Sequence, residues 1–405
     1  MCGILALIYP KGCSPSSRQL ERIVNRMSHR GPDGMGVRIS GEIGFAHRRL
    51  AIIDVLDATQ PMVLPSGIKV TFNGEIYNFR ELRSTLVGCG HSFKHDSDTE
   101  VLLHAAEQWG PDCLSRLEGM FSLVVDDPIR GITWAARDRM GQKPLFAFDK
   151  RFFADIEHGF VSELKCILPE QNCNRVVSPN AVSRFLAYDF VPDSDGFFVG
   201  VQKVAPGELW IIDRDNLSKK PIRKKWYNLP FGRLDKVNKH QAIEQLDEQL
   251  DIATQRCMVA DVPLGIFLSG GIDSSLITAY ACRHINPNSL KTFSIGFNNP
   301  AFDESIYAQN VANHLGTKHH NLTVDSSDLL NIVPSILSAQ DEPFADPSII
   351  PTAILSRFAR EEVTVALSGD GGDELFLGYP TFVAENILSY FSWVPPEVFS
   401  NLANF

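Results

Sequence analysis

Val262-Pro263-Leu264-Gly265-Ile266-Phe267-Leu268-Ser269-Gly270-Gly271-Ile272-Asp273-Ser274-Ser275 is the stretch that decides the second half of this chain. An apolar run of strand length ends in Ser-Gly-Gly, and a helix is expected to open at once on Ile272-Asp273. Glycines at such a turn let backbone N–H groups approach an anion, and the helix N-terminus adds positive dipole, so the junction favours phosphate. It is not a Walker A loop, because Gly-x4-Gly-Lys-Ser/Thr is absent. Working outward, a second strand, Val363-Thr364-Val365-Ala366-Leu367, ends in Ser368-Gly369-Asp370-Gly371-Gly372-Asp373-Glu374. Ligands of open α/β sheets collect outside the carboxyl ends of the strands, so two Gly-Asp loops at such ends can face one nucleotide. Asp273 and Asp373 then stand as hard oxygen ligands for Mg²⁺ on the phosphates of such a nucleotide. The acidic glycine loop also reads as a plain helix start.

Around these loops the pattern alternates. Helices are expected over 240–258, 272–284, 303–315, 327–339 and 348–360, and strands over 262–268, 290–297, 319–324 and 363–368. That order predicts an α/β domain with a mostly parallel sheet. The first half reads differently: short strands over 2–9, 42–53, 68–73, 120–126, 131–137 and 144–149, interrupted by helices over 78–88 and 97–109. The second helix opens on Ser97-Asp98-Thr99-Glu100, which fits a capping box. This half predicts an α+β domain. Residues 170–238, rich in Pro, Asp and Gly turns, read as a connecting region, and the basic run Lys219-Lys220-Pro221-Ile222-Arg223-Lys224-Lys225 as a solvated surface. No internal repeat is found.

At 405 residues, with about 150 per domain as a guide, the chain holds two or three domains. Its 44% hydrophobic and 21% charged residues are those of an ordinary globular protein. Lys and Arg number 38 against 48 Asp and Glu, a net charge of −10, which argues against a protein occupied chiefly with nucleic-acid backbone. The eight cysteines, at 2, 13, 89, 113, 166, 173, 257 and 282, show no spacing that suggests a disulfide framework or a zinc site, and read as reduced and cytoplasmic. The start Met1-Cys2-Gly3-Ile4-Leu5-Ala6-Leu7-Ile8 does not read as a secretory leader and no apolar run of about 18 residues is found, so no membrane partner is expected.

Cys2 follows the initiator Met, and removal of Met1 would leave one residue carrying both a thiol and a free α-amine. With a thiol pKa near about 8.5 and an amine near about 8, the amine can take the thiol proton near neutral pH. Three further strings accompany it: His29-Arg30-Gly31-Pro32-Asp33, Ala46-His47-Arg48-Arg49-Leu50, and Phe72-Asn73-Gly74-Glu75-Ile76-Tyr77-Asn78, the last read as a strand running into a glycine turn. With Cys2-Gly3-Ile4 they resemble, in order, the class II glutamine amidotransferases, whose N-terminal-nucleophile domain is an αββα fold. The resemblance implies Cys2 as the nucleophile on the glutamine amide, the Asn73 side chain and Gly74 N–H as oxyanion hole, and Arg49 and Asp98, assisted by Glu75, as holders of the glutamine α-carboxylate and α-amine. Plainer readings stand beside each: Asn73-Gly74 is a hairpin signal, Asp98 a first-turn acid, Arg49 a surface cation.

The Ser269 loop, in turn, resembles the pyrophosphate loop of ATP pyrophosphatases. The pairing of the two halves resembles the glutamine-hydrolysing asparagine synthetases, with further matches at Ser294-Ile295-Gly296-Phe297, Ala312-Asn313-His314-Leu315-Gly316-Thr317 and Asp341-Glu342-Pro343-Phe344. The resemblance implies an αββα glutaminase domain over 2–165, a connection over 166–238, and an adenine nucleotide hydrolase-like parallel-sheet domain over 239–405. It implies ATP contacts from Phe267, Leu268, Ser269, Gly270, Gly271, Asp273, Ser274, Ser275, Ile295, Ser368 and Gly369, and Mg²⁺ on Asp273 and Asp373. The implied partners are glutamine, ATP and a carboxylate acceptor, aspartate first, and a homodimer is compatible. Ammonia from glutamine would pass internally to an acyl-adenylate, giving the amide, AMP and pyrophosphate. The alternatives are the same machinery acting on another carboxylate, such as a sugar acid in polysaccharide synthesis, closure of a lactam ring, or a truncated glutaminase or nucleotide-binding subunit. Two departures bear on this: the family usually has Leu where Phe267 stands, and its synthetase domain continues to an essential lysine, whereas Ser400-Asn401-Leu402-Ala403-Asn404-Phe405 reads as an incomplete C-terminus.

Overall fold

The computed structural model describes residues 1–192, 196–230 and 237–390. The chain divides into two compact units, one of Met1–Glu244 with Val259–Pro263 and Leu329–Ile354, the other of Gln245–Met258 with Leu264–Asp328 and the chain from Leu355 on. The terminal stretch Ser400 to Phe405 lies outside the described residues.

The first unit runs β1 (Gly3–Ile8), α1 (Ser17–Asn25), β2 (Gly34–Ser40), β3 (Ile43–Arg49), β4 (Met62–Val63), β5 (Lys69–Ile76), α2 (Phe79–Gly88), α3 (Asp98–Trp109), β6 (Gly119–Asp127), β7 (Ile132–Arg137), β8 (Phe146–Asp149), β9 (His158–Val161), α4 (Pro179–Tyr188), β10 (Val201–Lys203), β11 (Glu208–Asp213) and β12 (Ile222–Lys225). The strands form two six-stranded sheets, ordered β10-β8-β9-β1-β3-β2 and β12-β11-β7-β6-β5-β4. Period-two alternation sorts their side chains into layers. Ile4, Ala6 and Ile8 of β1 meet Val124, Ala135 and Trp210 of the facing sheet. Leu5 and Leu7 point the other way, onto Leu20, Ile23 and Val24 of α1. The outer face of the second sheet, with Phe72, Leu123 and Trp134, packs on Leu82 and Leu86 of α2 and Leu102 and Leu103 of α3. Helix, sheet, sheet, helix is thus the layer order. Because β1 is buried on both faces, a register slip of one residue would exchange its two packing sets. The strand is pinned, and so is Cys2 at its leading end.

The segment read as connecting does not merely connect. Its β10 pairs with β8, and β11 and β12 extend the second sheet from β7. β10 and β12 are short, at three and four residues, and β12 is the exposed edge, so apolar periodicity is weak in those two. The basic run is solvated as expected and also forms that edge, where charged side chains deter further strand pairing. Arg223 uses its stem and guanidinium together, lying 4.5 Å over the Trp210 ring and 2.8 Å from Glu208. All eight cysteines are unbridged.

The rest of the chain carries α5 (Lys239–Cys257), β13 (Leu264–Phe267), α6 (Ile272–His284), β14 (Lys291–Phe297), α7 (Ser305–Leu315), β15 (Lys318–Val324), α8 (Ser326–Ala339), α9 (Ile349–Arg360), β16 (Val365–Leu367), α10 (Gly372–Phe376) and α11 (Pro380–Ser389). In the second unit four parallel strands run in the order β15-β14-β13-β16. Ile266 of the inner strand β13 is fully buried against Ala281 and Leu290. The strand expected over 262–268 is shortened at its start, where Val259–Pro263 belongs to the first unit. Among the described residues no helix is long and apolar enough to cross a membrane.

Candidate active sites

Pairing of β1 with β3 sets Gly3 opposite Arg48 and so brings Leu50 beside Cys2. Cys2 Sγ lies 3.6 Å from the Leu50 carbonyl oxygen and accepts the Leu50 N–H at 3.4 Å. Burial pushes the thiol above its ordinary range, opposed by the Leu50 contact, the neighbouring terminal amine and Arg49. The Met1 amine is pulled down to about 6, chiefly by burial. That amine is Met1's; removal of Met1 would put the free amine on Cys2 itself, beside its own thiol.

Asn73 and Gly74 lie inside β5 rather than in a turn, so the hairpin reading and the expected glycine turn are both corrected. The cause is close approach of β6: a Cβ at Gly74 would sit 2.1 Å from the Met120 carbonyl oxygen. The strand can continue only because residue 74 has no side chain. Asn73 is 1% exposed, and neither Nδ2 nor Oδ1 has a hydrogen-bond partner. A buried amide left without partners is costly and calls for an explanation, and a ligand oxygen is the obvious one.

Asp98 is the first residue of α3, which is N-capped by the Ser97 hydroxyl accepting from Glu100 N at 3.2 Å. Only this half of the expected capping box involves Ser97, for the Glu100 carboxylate accepts from the N–H groups of Lys94 and His95 instead. Asp98 accepts from Ile76 N at 3.0 Å, and burial pushes its carboxyl up to about 6. Glu75 is raised well above the carboxylate range, first by burial and then by the Asp98 charge. Two such carboxylates in electrostatic contact favour a cation between them, as an α-ammonium group would be. Arg49 is not a free surface cation: its guanidinium donates to the carbonyl oxygens of Ile53, Asp54 and Val55 and lies within electrostatic reach of Cys2, Glu75 and Asp98. The structure therefore brings Cys2, Arg49, Glu75 and Asp98 into one neighbourhood.

In the second unit β13 and β16 are parallel neighbours, and the loops at their carboxyl ends touch. A Cβ at Gly369 would lie 2.7 Å from Ser274 N, and one at Gly372 would lie 2.4 Å from Asp273 Oδ2. Gly270 has φ +84° and backs onto Tyr307 and Ala308. Ser269 and Ser274 hydroxyls are 2.9 Å apart, the Gly271 N–H reaches Ser269 Oγ at 3.2 Å, and Ser275 Oγ is buried without a partner. Ser368 Oγ donates to Asp370 at 2.8 Å. Asp273 and Asp373 both open helices, α6 and α10. The Leu268 side chain is spent on packing against Ala308, Val311 and Ala312, and Phe267 packs against the Phe293 cluster, which leaves their backbones for any nucleotide contact. Ile295 is partly exposed on β14.

Residues 1–227 match the glutamine amidotransferase domain model, and residues 245–404 match the asparagine synthase model. A putative glutamine-hydrolysing asparagine synthetase 2 of Methanocaldococcus jannaschii is 33% identical over 404 residues, covering 94% of this chain and 76% of that protein. The chain belongs to the asparagine synthetase family. Glutamine-hydrolysing asparagine synthetase 1 of Bacillus subtilis is 34% identical over 402 residues, covering 98% of this chain and 61% of that protein. The enzyme of Zea mays is 32% identical over 397 residues, 94% of this chain and 61% of that one. The chain spans 61% to 66% of the length of the first curated relatives it matches.

Within this family member, four charged residues join the Cys2 neighbourhood without having been assigned a role from sequence. Arg30 Nε donates to the Cys2 carbonyl at 2.8 Å, and its Nη1 pairs with Glu163 at 2.9 Å. Burial pushes Glu163 up, yet Arg30, Lys165 and His29 together hold it below the ordinary carboxylate range. Lys143 is buried, which lowers its pKa against the pull of Glu75. Asp341, in a string matched to the family, accepts from Lys165 N at 2.7 Å and is pushed up to about 7 by burial. Arg30 stood in a quoted string, but Glu163, more than a hundred residues away, offered no local signal.

Proposed function

We propose that this chain uses glutamine and ATP to amidate a carboxylate, aspartate first, releasing AMP and pyrophosphate. Glutaminase chemistry is assigned to residues 2–165 with the later strands that complete its sheets, and nucleotide chemistry to the chain from 239 on. The observation that carries the reading is the unpartnered Asn73 amide, buried in the unit that gathers Cys2, Arg49, Glu75 and Asp98. In this reading Met1 is removed and the Cys2 amine takes the thiol proton. Sγ then attacks the glutamine amide carbon, and the oxyanion that forms is met by Asn73 Nδ2 and Gly74 N–H. Ammonia leaves, carrying the proton returned by the amine, and water hydrolyses the thioester to glutamate. Arg49 holds the α-carboxylate, and Glu75 with Asp98 the α-ammonium.

At the second site Ser269, Gly270, Gly271, Ser274 and Ser275 bind the ATP phosphates, and the backbones of Phe267, Leu268, Ile295, Ser368 and Gly369 hold the nucleoside. Asp273 and Asp373 fit Mg²⁺, being hard oxygen donors on touching loops, with the Asp273 carboxylate against a glycine where a Cβ would collide. When bound, Mg²⁺ would neutralise phosphate charge. The acceptor carboxylate attacks the α-phosphorus, pyrophosphate leaves, and ammonia displaces AMP from the acyl-adenylate.

Cys2→Ala tests this: glutamine-dependent amide formation should vanish while ammonia-dependent formation persists. Unchanged glutaminase turnover in that variant would sink the assignment. Asp273→Asn and Asp373→Asn should each weaken Mg²⁺-dependent ATP binding and spare glutamine hydrolysis. ATP–pyrophosphate exchange across a panel of carboxylates identifies the acceptor, and exchange with aspartate alone is expected.

A further inference from the structure

Three side chains of the first unit converge on one point. His91 Nδ1 and His104 Nδ1 are 3.0 Å apart, and Glu107 Oε2 lies 3.5 Å from each. For Zn–N of about 2.0–2.1 Å and Zn–O of about 2.0–2.2 Å, tetrahedral ligands sit about 3.3–3.5 Å from one another. The two edges to Glu107, at 3.5 Å, have that length, and the His91–His104 edge, at 3.0 Å, is a few tenths of an ångström shorter.

Backbone order puts the three there. α2 ends in a Schellman turn, with Gly90 at φ +95°, the Gly90 N–H on the Val87 carbonyl and the His91 N–H on the Leu86 carbonyl. That turn fixes His91, while His104 and Glu107 share a face of α3 at spacing i, i+3.

The ring protons of the two histidines also favour a cation there. His91 Nε2 is 2.9 Å from Gln108 Oε1, and with the amide so oriented Nε2 carries the ring proton and Nδ1 is a bare lone pair. If His104 is also neutral and donates Nδ1–H to that lone pair, its Nε2 is left bare 4.0 Å from the Glu100 carboxylate, lone pair toward anion. A cation at the centre of the triangle removes the conflict. Both Nδ1 lone pairs then bind it, and both Nε2–H groups face oxygen acceptors, the outer-shell pattern usual for metal-bound histidines.

We propose that His91, His104 and Glu107 form a binding site for a divalent transition-metal ion of the zinc class, with water as the remaining ligand. Such an ion would tie the α2 turn to α3, the helix whose first residue is Asp98. The competing occupant is a proton on His104, which satisfies the same acceptors.

The test is titration of the chelator-treated full chain with Co²⁺, followed by displacement with Zn²⁺. One equivalent of Co²⁺ should bind near neutral pH with the intense visible bands of four-coordinate cobalt and no thiolate charge-transfer band. His91→Ala and Glu107→Gln, both at incompletely buried positions, should each weaken binding at least about tenfold, with circular dichroism and glutamine hydrolysis unchanged. His104→Gln should do the same if it folds. Absence of stoichiometric binding, a thiolate–cobalt band, or wild-type affinity in the His91 and Glu107 variants would each overturn the proposal.

Discussion

At the leading end of β1, charge is packed into a protein core: Glu75, Asp98 and Lys143 are buried or nearly so, and their proton affinities are displaced by that burial. At the ends of β13 and β16 the candidate groups are instead backbone N–H, hydroxyls and two aspartates in the first turns of helices on touching glycine loops. The first arrangement holds its groups by tertiary packing and makes the fold bear the cost of unmet polar groups. The second is local, and its cost is conformational, met by glycine. Substitutions should therefore behave differently in the two places.

The sharpest contrast is expected at Asn73. Asn73→Ala should lower glutaminase kcat by about 10² to 10³-fold, the loss usual for one oxyanion donor. Stability should stay within about 1 kcal/mol of the parent, because the amide has no protein partner to lose. Large destabilisation with near-normal kcat would reverse the reading of Asn73.

Asp98 is next. Its carboxyl is raised from the ordinary 3.8 to about 6 by burial, so the folded protein binds that proton more tightly than the unfolded chain. The contribution is fully present below about pH 4 and is lost as pH rises through about 6. Asp98→Asn should accordingly stabilise the protein by about 3 kcal/mol at pH 8, with the gain shrinking toward acid, and should weaken glutamine binding. Urea unfolding from pH 8 downward measures it, and a gain independent of pH would contradict the burial argument.

Two glycines give the smaller comparison. Gly74→Ala forces a Cβ to within 2.1 Å of the Met120 carbonyl oxygen and should cost about 3 kcal/mol. Gly371 has φ +91° and open space around its Cβ position, so Gly371→Ala should cost about 1 kcal/mol, the left-handed backbone penalty alone. Equal losses in thermal unfolding would mean that the two loops and strands are not held as described.

The same contrast explains what the sequence made legible. The Ser269 and Ser368 loops were readable because strand, glycines, aspartate and helix follow one another along the chain, and every one of those junctions stands where expected. Cys2, Asn73 and Arg49 could be brought together only by resemblance, since β1 pairs with β3 across dozens of residues and β5 lies in the facing sheet. The roles of Glu163 and Lys143 were not legible, and neither was the His91 convergence: each depends on a turn or strand end that delivers one side chain to a distant element. Strands β10 and β12 escaped notice for a different reason, being three and four residues long and, at β12, wholly exposed.

The account turns on Cys2 acting as an N-terminal nucleophile, and retention of residues ahead of it is the direct trial. Protein beginning at Cys2 is compared with protein carrying a short N-terminal extension, with intact mass confirming each terminus. The extension converts the Cys2 amine into an amide nitrogen without usable basicity, so glutamine hydrolysis should fall by about 10² to 10⁴-fold while ATP binding persists. Full-rate hydrolysis by the extended protein would contradict the account.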